Sequence, residues 1–346
     1  MENREKYLSF VVPCYNSESY MARCIESLLP GGEDVEIIII DDGSKDKTGE
    51  IADAYQKQYP DLVKVIHKEN GGHGSGVNAG LACARGVYFK VVDSDDWLDG
   101  TAYQKLLEKI RYYCKEAGGG EEKPDLFVCN YVYNHLEQQI TRSMGYGNVF
   151  PAEKICPWSE TGHFLPSQYL VMHALVYRTE ILRQSGIVLP EHTFYVDNLF
   201  AYCPLPYVRN IFYMDIDLYQ YYLGRDDQSV NETVMISRID QQLRVTRRMV
   251  DFYTEQKISN QKCRMYMRNY LRIMMEVSSI FLILSGTPEN LAKKQELWNY
   301  VKAKDKEVYK MLRYSMLGFS VNLPGKSGRW ISKTGYKVMN KWIGFN

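Results

Sequence analysis

The 346-residue sequence has no net charge, with 42 Lys and Arg against 42 Asp and Glu. That balance excludes a globally basic nucleic-acid binder. None of its eight cysteines forms a Cys-x-x-Cys pair, which argues against a zinc site. No stretch reaches ~18 uninterrupted apolar residues, so no membrane-spanning helix is expected. Met1–Lys6 is polar and charged, so no secretory leader is expected either. Several cysteines sit inside apolar runs as small hydrophobes, which fits reduced thiols and a cytoplasmic location. No Gly-x-Gly-x-x-Gly follows the first apolar run, and no Gly-Lys-Ser/Thr ends a glycine-rich loop. The chain therefore carries neither a dinucleotide fingerprint nor a P-loop. Internal repeats and low-complexity tracts are missing as well.

What is present reads as a folded α/β chain, 45% hydrophobic and 24% charged. Strand signals occur at Leu8–Val12, Val35–Ile40, Leu62–Ile66, Val87–Val92 and Leu126–Val132. The second contains four consecutive isoleucines, as expected of a strand buried on both faces of a parallel sheet. Between these runs, Met21, Ile25, Leu28 and Leu29 recur at helical spacing behind Ser17 or Ser19 as cap. A second helix is expected through Ile51, Tyr55 and Tyr59 behind Asp46, and a third over the small residues up to Ala84. Such alternation predicts a mainly parallel sheet flanked by helices, with ligands beyond the carboxyl ends of the strands. Helical periodicity dominates later, at Arg244–Tyr253 and Met265–Leu284. The expected division is an α/β domain over residues 1–230 and a helical C-terminal region over 231–346.

Three polar constellations interrupt the apolar runs. Val12-Pro13-Cys14-Tyr15-Asn16-Ser17-Glu18 follows the first strand. Ile40-Asp41-Asp42-Gly43-Ser44-Lys45-Asp46 ends the second. Asp-Gly is a hairpin signal, but no alternating strand follows Gly43. Val92-Asp93-Ser94-Asp95-Asp96-Trp97 ends a later strand. Its carboxylates could form a solvated acidic turn. At the ligand edge of an α/β sheet, two Asp side chains two apart can instead hold a divalent cation through hard oxygens.

In this order and spacing, the three motifs resemble those of glycosyltransferase family 2, over roughly residues 7–230. The resemblance implies a GT-A fold and inverting transfer from a nucleoside-diphosphate sugar, UDP-linked, with Mn²⁺ or Mg²⁺. By that likeness Pro13, Tyr15, Glu18, Asp42 and Ser44 line the nucleoside pocket. Asp93 touches the ribose or the metal, and Asp95 is the direct metal ligand. Asn78 and Arg85 stand where similar enzymes approach the donor. The family's base is a carboxylate about a hundred residues after the metal motif, where Phe194-Tyr195-Val196-Asp197-Asn198 falls. Asp197 is that candidate and Glu191 the alternative, since this chain has Val196 where the family often has Glu. Asp197 could also cap a helix. Arg225 would neutralise phosphate in the segment Tyr221–Val230, which in similar enzymes closes over the diphosphate, or form a surface pair with its neighbouring aspartates. His173 is a candidate for acceptor or phosphate contact, or a core residue.

The glycine-rich Asn70–Ala84 stretch fits two readings, amides near the donor's phosphates or a helix packed close to the sheet. Some of the 28 tyrosines suit stacking on sugar rings. Residues 324–346 carry Lys326, Arg329, Lys333, Lys337 and Lys341, no acidic residue, and interleaved aromatics. That tail could lie on an anionic membrane or pack as a final helix. The expected partners are a nucleotide-sugar donor and a glycan or lipid-linked acceptor in surface polysaccharide or glycolipid synthesis. Two other readings remain at this point: a metal-dependent nucleotidyltransferase, and a catalytically inactive nucleotide-sugar-binding protein on the same fold.

Overall fold

The computed structural model describes residues 6–116, 123–135, 140–224 and 232–343. The chain divides into two compact units, Met1–Leu223 and Gly224–Asn346. In the first, β1 (Leu8–Cys14), β2 (Val35–Asp41), β3 (Val63–His67) and β4 (Tyr88–Val91) alternate with α1 (Met21–Leu28), α2 (Thr48–Gln58) and α3 (His73–Cys83). β5 (Trp97–Leu98), α4 (Gly100–Arg111), β6 (Leu126–His135), β7 (Ile140–Met144) and β8 (Ile155–Pro157) follow. Then come β9 (Leu175–Arg178), α5 (Thr179–Ser185), α6 (Asp197–Tyr202) and β10 (Asn210–Leu223).

Among the described residues, ten strands join one sheet in the order β3-β2-β1-β4-β9-β6-β10-β5, with β7 on β6 and β8 on β10. β1 pairs in parallel with both β2 and β4, and β2 in parallel with β3. From β1 the order runs one way to β2 and β3 and the other way to β4, so a crevice opens beyond the carboxyl ends of β1 and β4. β1 and β2 are buried at every position, which explains why both are largely apolar; the exceptions inside the runs, Ser9 and Glu36, are bonded to each other at 2.6 Å. Close packing of α3 on this sheet needs small residues, since a Cβ on Gly80 would collide with the Val11 side chain.

Local capping departs from the sequence reading. Ser17 does not cap α1, whose N-cap is Tyr20 with no side-chain bond. Ser17 Oγ instead accepts from the Tyr15 amide at 3.2 Å and meets Ser94 Oγ at 2.8 Å. Asp46 does receive the Thr48 amide at 3.0 Å, although Lys47 is the formal cap of α2.

The second unit is helical: α7 (Glu232–Ser237), α8 (Ile239–Glu255), α9 (Gln261–Ser285), α10 (Pro288–Lys304), α11 (Lys306–Arg313), α12 (Met316–Ser320) and α13 (Gly325–Ile343). Asn260, Thr287 and Asp305 cap α9, α10 and α11 through their side chains. Gly286 ends α9 in the left-handed conformation at φ 70°. No described helix is long and apolar enough to cross a membrane.

Candidate functional site at the carboxyl rim of the sheet

All three polar constellations reach the same rim. Cys14 ends β1 opposite Asp41 of β2, and Asp93 follows β4 on the other side of β1. The loops are tied to one another across the crevice. Asn16 donates its amide to Ser44 Oγ at 3.1 Å, Ser17 its amide to Thr48 Oγ1 at 2.7 Å, and Ser17 meets Ser94. Glu18 accepts from the Lys47 amide at 2.9 Å. Pro13 is buried in β1, whereas Tyr15 is exposed beside the crevice.

Asp42 organises the adjoining glycine-rich loop. Its carboxylate accepts from Lys68 Nζ at 2.7 Å and from the amides of Gly71 and Gly72 at 2.9 and 2.7 Å. Asp41 accepts the Ser44 amide at 3.0 Å and faces His67 Nδ1 at 2.9 Å, while His67 Nε2 lies 3.1 Å from Asp53. Hydrogen bonds to the two carboxylates raise the His67 pKa above its ordinary 6.5. Burial pushes Asp41 up, but its bonds to Ser44 and His67 prevail and leave it below its ordinary 3.8. His67 therefore stabilises the fold fully below pH ~6.5 and loses that contribution as pH rises through its folded value. Asp41 contributes above its unfolded value and loses its share as pH falls through its folded one. Melting temperatures recorded across pH should show the alkaline decline in the parent and not in His67→Gln.

The acidic turn after β4 is held from several sides. Arg23 of α1 stacks 3.7 Å above the Trp97 ring and donates to the Asp95 carbonyl at 3.1 Å. Asp96 is fully buried and accepts from Tyr219 Oη at 2.6 Å and the Tyr222 amide at 2.8 Å. Asp93 faces His73 Nε2 at 2.8 Å, and its second oxygen lies 4.0 Å from His173 Nδ1. Burial pushes Asp93 upward, but His73 outweighs it and holds the carboxyl low. Burial likewise opposes charge on His73, and Asp93 keeps its pKa raised.

His173 stacks on Tyr219 and Tyr221 of β10, each centroid 4.7 Å away. Burial drives its pKa down to about 4, so the ring is neutral at physiological pH. Its Nδ1 is buried and has no hydrogen-bond partner. The buried Lys90 of β4 donates to the His173 carbonyl at 2.7 Å and fixes the segment. Among the described residues, one atom each from Asp93, Asp96 and His173 lie within 4.8 Å of one another. Hard carboxylate oxygens with an imidazole suit Mn²⁺, and the unpartnered Nδ1 beside Asp93 is a vacant donor for it. Asp95, the sequence candidate, lies on the same turn but outside that group of three.

Asp197 is the first residue of α6, and Val196 rather than Asp197 holds the cap position. Burial pushes its carboxyl up to about 6, with His73 opposing and Asp93 adding to the shift. The preceding loop carries two left-handed non-glycine residues, His192 at φ 47° and Tyr195 at φ 67°. It rests on the start of α3: His192 donates to the Gly71 carbonyl at 2.6 Å, and Gly74 lies against Leu189 and Pro190. Asn78 secures the same loop, bonding the Leu189 carbonyl at 2.8 Å and amide at 3.0 Å. Both ends of the Asn78 amide are thus spent on the chain itself. Glu191 is exposed, 3.4 Å from Ser75 Oγ.

The close-packing reading of the glycine-rich stretch accounts for Gly74 and Gly80, while the Gly71 and Gly72 amides are taken by Asp42. Arg85 departs from expectation. It follows α3 at the amino end of the strands, pairing with Glu36 at 2.9 Å, because α3 runs back from the carboxyl rim. Arg225 lies outside the described residues. Sequence reasoning missed His73, Lys90 and Tyr219, and it placed Tyr221 at the start of the segment closing over the diphosphate, whereas Tyr221 lies in β10. Of those missed, only His73 carried a local signal, its place between the Gly71-Gly72 pair and Gly74.

A separate cavity of about 660 Å³, lined partly by Asp99, Asn130, Asp215 and Asp217, shares no residue with the rim cluster.

Residues 9–119 match the family model described as Glycosyl transferase family 2. Over 103 residues the chain is 43% identical to EpsJ of Bacillus subtilis (strain 168), described as an uncharacterized glycosyltransferase. That match covers 30% of each protein, so the chain spans under a third of this curated relative's length. In overall fold the chain is similar to S. aureus TarS in complex with UDP-GlcNAc. That likeness has a TM-score of 0.68 at 18% identity and covers 96% of this chain and 92% of that one. Mannosyltransferase PcManGT from Pyrobaculum calidifontis, in complex with GDP-Man and Mn²⁺, matches with TM-score 0.52 at 12% identity, covering 99% and 89%. The fold is GT-A.

Proposed function

We propose, from the premise that residues 9–119 belong to glycosyl transferase family 2, that this chain moves a sugar from a nucleoside diphosphate to an acceptor hydroxyl with inversion. The observation that carries the reading is the Asp197 carboxyl, raised to about 6 by burial, in the same electrostatic cluster as Asp93. A group titrating there is charged at neutral pH yet basic enough to accept a proton from an attacking hydroxyl. Two electrostatically interacting carboxylates, one held low and one raised, divide the labour.

Pro13, Tyr15, Glu18, Asp42 and Ser44 border the crevice that would take the nucleoside, UDP in this reading. UDP-GlcNAc in the TarS complex favours such a donor, and the polysaccharide or glycolipid context rests on family likeness. Asp93, Asp95 and His173 would hold a divalent cation, Mn²⁺ or Mg²⁺, which when bound supplies counter-charge to a diphosphate leaving group. Asp197 takes the acceptor's proton as its oxygen attacks the anomeric carbon from the face opposite the nucleotide. Asn78 and the His192–Tyr195 backbone act as positioning groups that keep Asp197 at the rim. Arg225 is retained as a phosphate contact. The acceptor is a glycan or lipid-linked glycan, and contact of residues 324–346 with a membrane suits the latter.

The test is a thermal-shift screen of nucleoside-diphosphate sugars, each with and without Mn²⁺. A donor at ~100 times its dissociation constant stabilises by about 2.7 kcal/mol. Product formed with the best donor is then read by NMR for anomeric configuration. Retention of configuration, or no donor that stabilises the protein, would overturn the proposal.

A further inference from the structure

The last third of the helical unit wears its side chains inside out. Among the described side chains of α13 the buried positions are Gly328 and Ser332, with Tyr336 packed 6.0 Å from the Phe281 ring of α9. The outward positions are Trp330, 68% exposed, Ile331, 51% exposed, and Val338. On α12 the buried residue is Gly318, while Met316 and Phe319 stand 78% and 56% exposed. Tyr314, just before α12, is also exposed. A helix on a water-facing domain turns its apolar stripe to the core; these two turn it to solvent.

The inversion is built in. A Cβ on Gly318 would collide with the Leu312 carbonyl, and one on Gly328 would fall 2.6 Å from the Leu323 carbonyl carbon. Ser332 Oγ donates to the Ser320 carbonyl at 2.7 Å, joining α13 to α12. Small residues thus fit the tight entries to α12 and α13 and let the two helices join, and rotating Trp330 or Phe319 inward would break that packing.

Charge selects the occupant. From Val308 to Asn346 the sequence has seven basic residues and no acidic one. Lys326 and Lys337 are exposed on α13, beside the apolar positions. Large apolar side chains interleaved with lysines on a helix too polar to span a bilayer match the headgroup region of an anionic membrane. A second copy docking through the same patch would set two sets of like charges against each other.

From this we infer that α12, α13 and Tyr314 form a docking surface for anionic lipid. The inference deepens the reading of tail 324–346 as a membrane contact, and it extends the surface back to Tyr314, Met316 and Phe319. It does not depend on the donor chemistry.

The experiment is flotation of the full chain with phosphatidylcholine vesicles, with and without phosphatidylglycerol. Binding is expected only with phosphatidylglycerol, and it should weaken as salt rises. Trp330→Ser with Ile331→Ser, and separately Met316→Ser with Phe319→Ser, should each weaken it by about tenfold or more. Lys326→Glu with Lys337→Glu should remove the preference for anionic vesicles. All six side chains are exposed, so circular dichroism and donor-induced thermal shifts should match the parent. No vesicle binding by the parent, or serine pairs that bind like the parent, would overturn the inference. So would sedimentation in which the parent is a dimer and Trp330→Ser with Ile331→Ser a monomer. Failure of every donor to bind would sink the transferase reading and leave the vesicle result standing.

Discussion

Asp197→Asn should keep donor binding and lose transfer by roughly 10² to 10⁴-fold, the usual worth of a positioned general base. The amide matches the carboxylate in shape but accepts no proton at neutral pH. Because burial raises the parent carboxyl to about 6, parent activity should fall as pH drops through that value, when the base becomes protonated. The variant's residual rate should be flat across the same range. Stability should move the other way. A carboxyl whose folded pKa exceeds its unfolded one favours the fold when protonated and strains it when ionised. Removing the ionisable group should therefore raise the melting temperature at pH 7 to 8 relative to the parent. A merely structural Asp197 would give lower stability and unchanged pH dependence. Glu191→Gln serves as the control, since Glu191 is exposed and lies 3.4 Å from Ser75. If that variant loses turnover and Asp197→Asn does not, the base is Glu191.

How much of this could be read from the chain follows from the range of each interaction. β1 and β2 were plain because burial on both faces favours runs rich in apolar residues, such as Phe10–Val12 and the four isoleucines Ile37–Ile40, a purely local signature. The acidic turn was placed on the correct rim for the same reason: it ends a buried strand. β10 escaped the reading. Its residues, Asn210–Leu223, mix charge with tyrosine, and its pairing with β6 shifts register between Met214 and Tyr219. A bulged strand has no clean period for a sequence pattern to reveal. Yet β10 supplies Tyr219 and Tyr221, which stack on His173, and Tyr219 also latches Asp96, 123 residues away in sequence. Arg85 was misplaced by one rise of a helix. α3 has 11 residues and so carries the chain about 16 Å from the ligand rim toward the other edge. Asn78, at mid-helix, reaches Leu189 instead, a contact 111 residues apart that spacing cannot disclose.

Asp93→Asn and Asp95→Asn should each abolish the Mn²⁺-dependent part of donor binding, whereas Asp96→Ala should chiefly destabilise the fold. The three carboxylates sit within four positions but in unlike surroundings. Asp96 is fully buried with both oxygens accepting, from Tyr219 Oη and the Tyr222 amide. Alanine there strands the buried Tyr219 hydroxyl, at roughly 1–3 kcal/mol, and takes the acceptor from the part-buried Tyr222 amide. Asp93 faces His73 and the unpartnered Nδ1 of His173. Removing its charge deprives a cation of its hardest ligand, and a loss of about 2.7 kcal/mol corresponds to hundredfold weaker donor binding. Isothermal titration of the best donor with and without Mn²⁺ measures this directly, and thermal unfolding without donor measures the cost at Asp96. His173→Ala adds a third arm. If the imidazole is a ligand, the variant's donor affinity should lose its response to Mn²⁺ while binding without metal stays near the parent's. Equal losses with and without Mn²⁺ would make His173 a packing residue between Tyr219 and Tyr221. Asp95→Asn that binds donor and Mn²⁺ like the parent would move the ion onto Asp93, Asp96 and His173, the group whose ligand atoms already lie within 4.8 Å of one another.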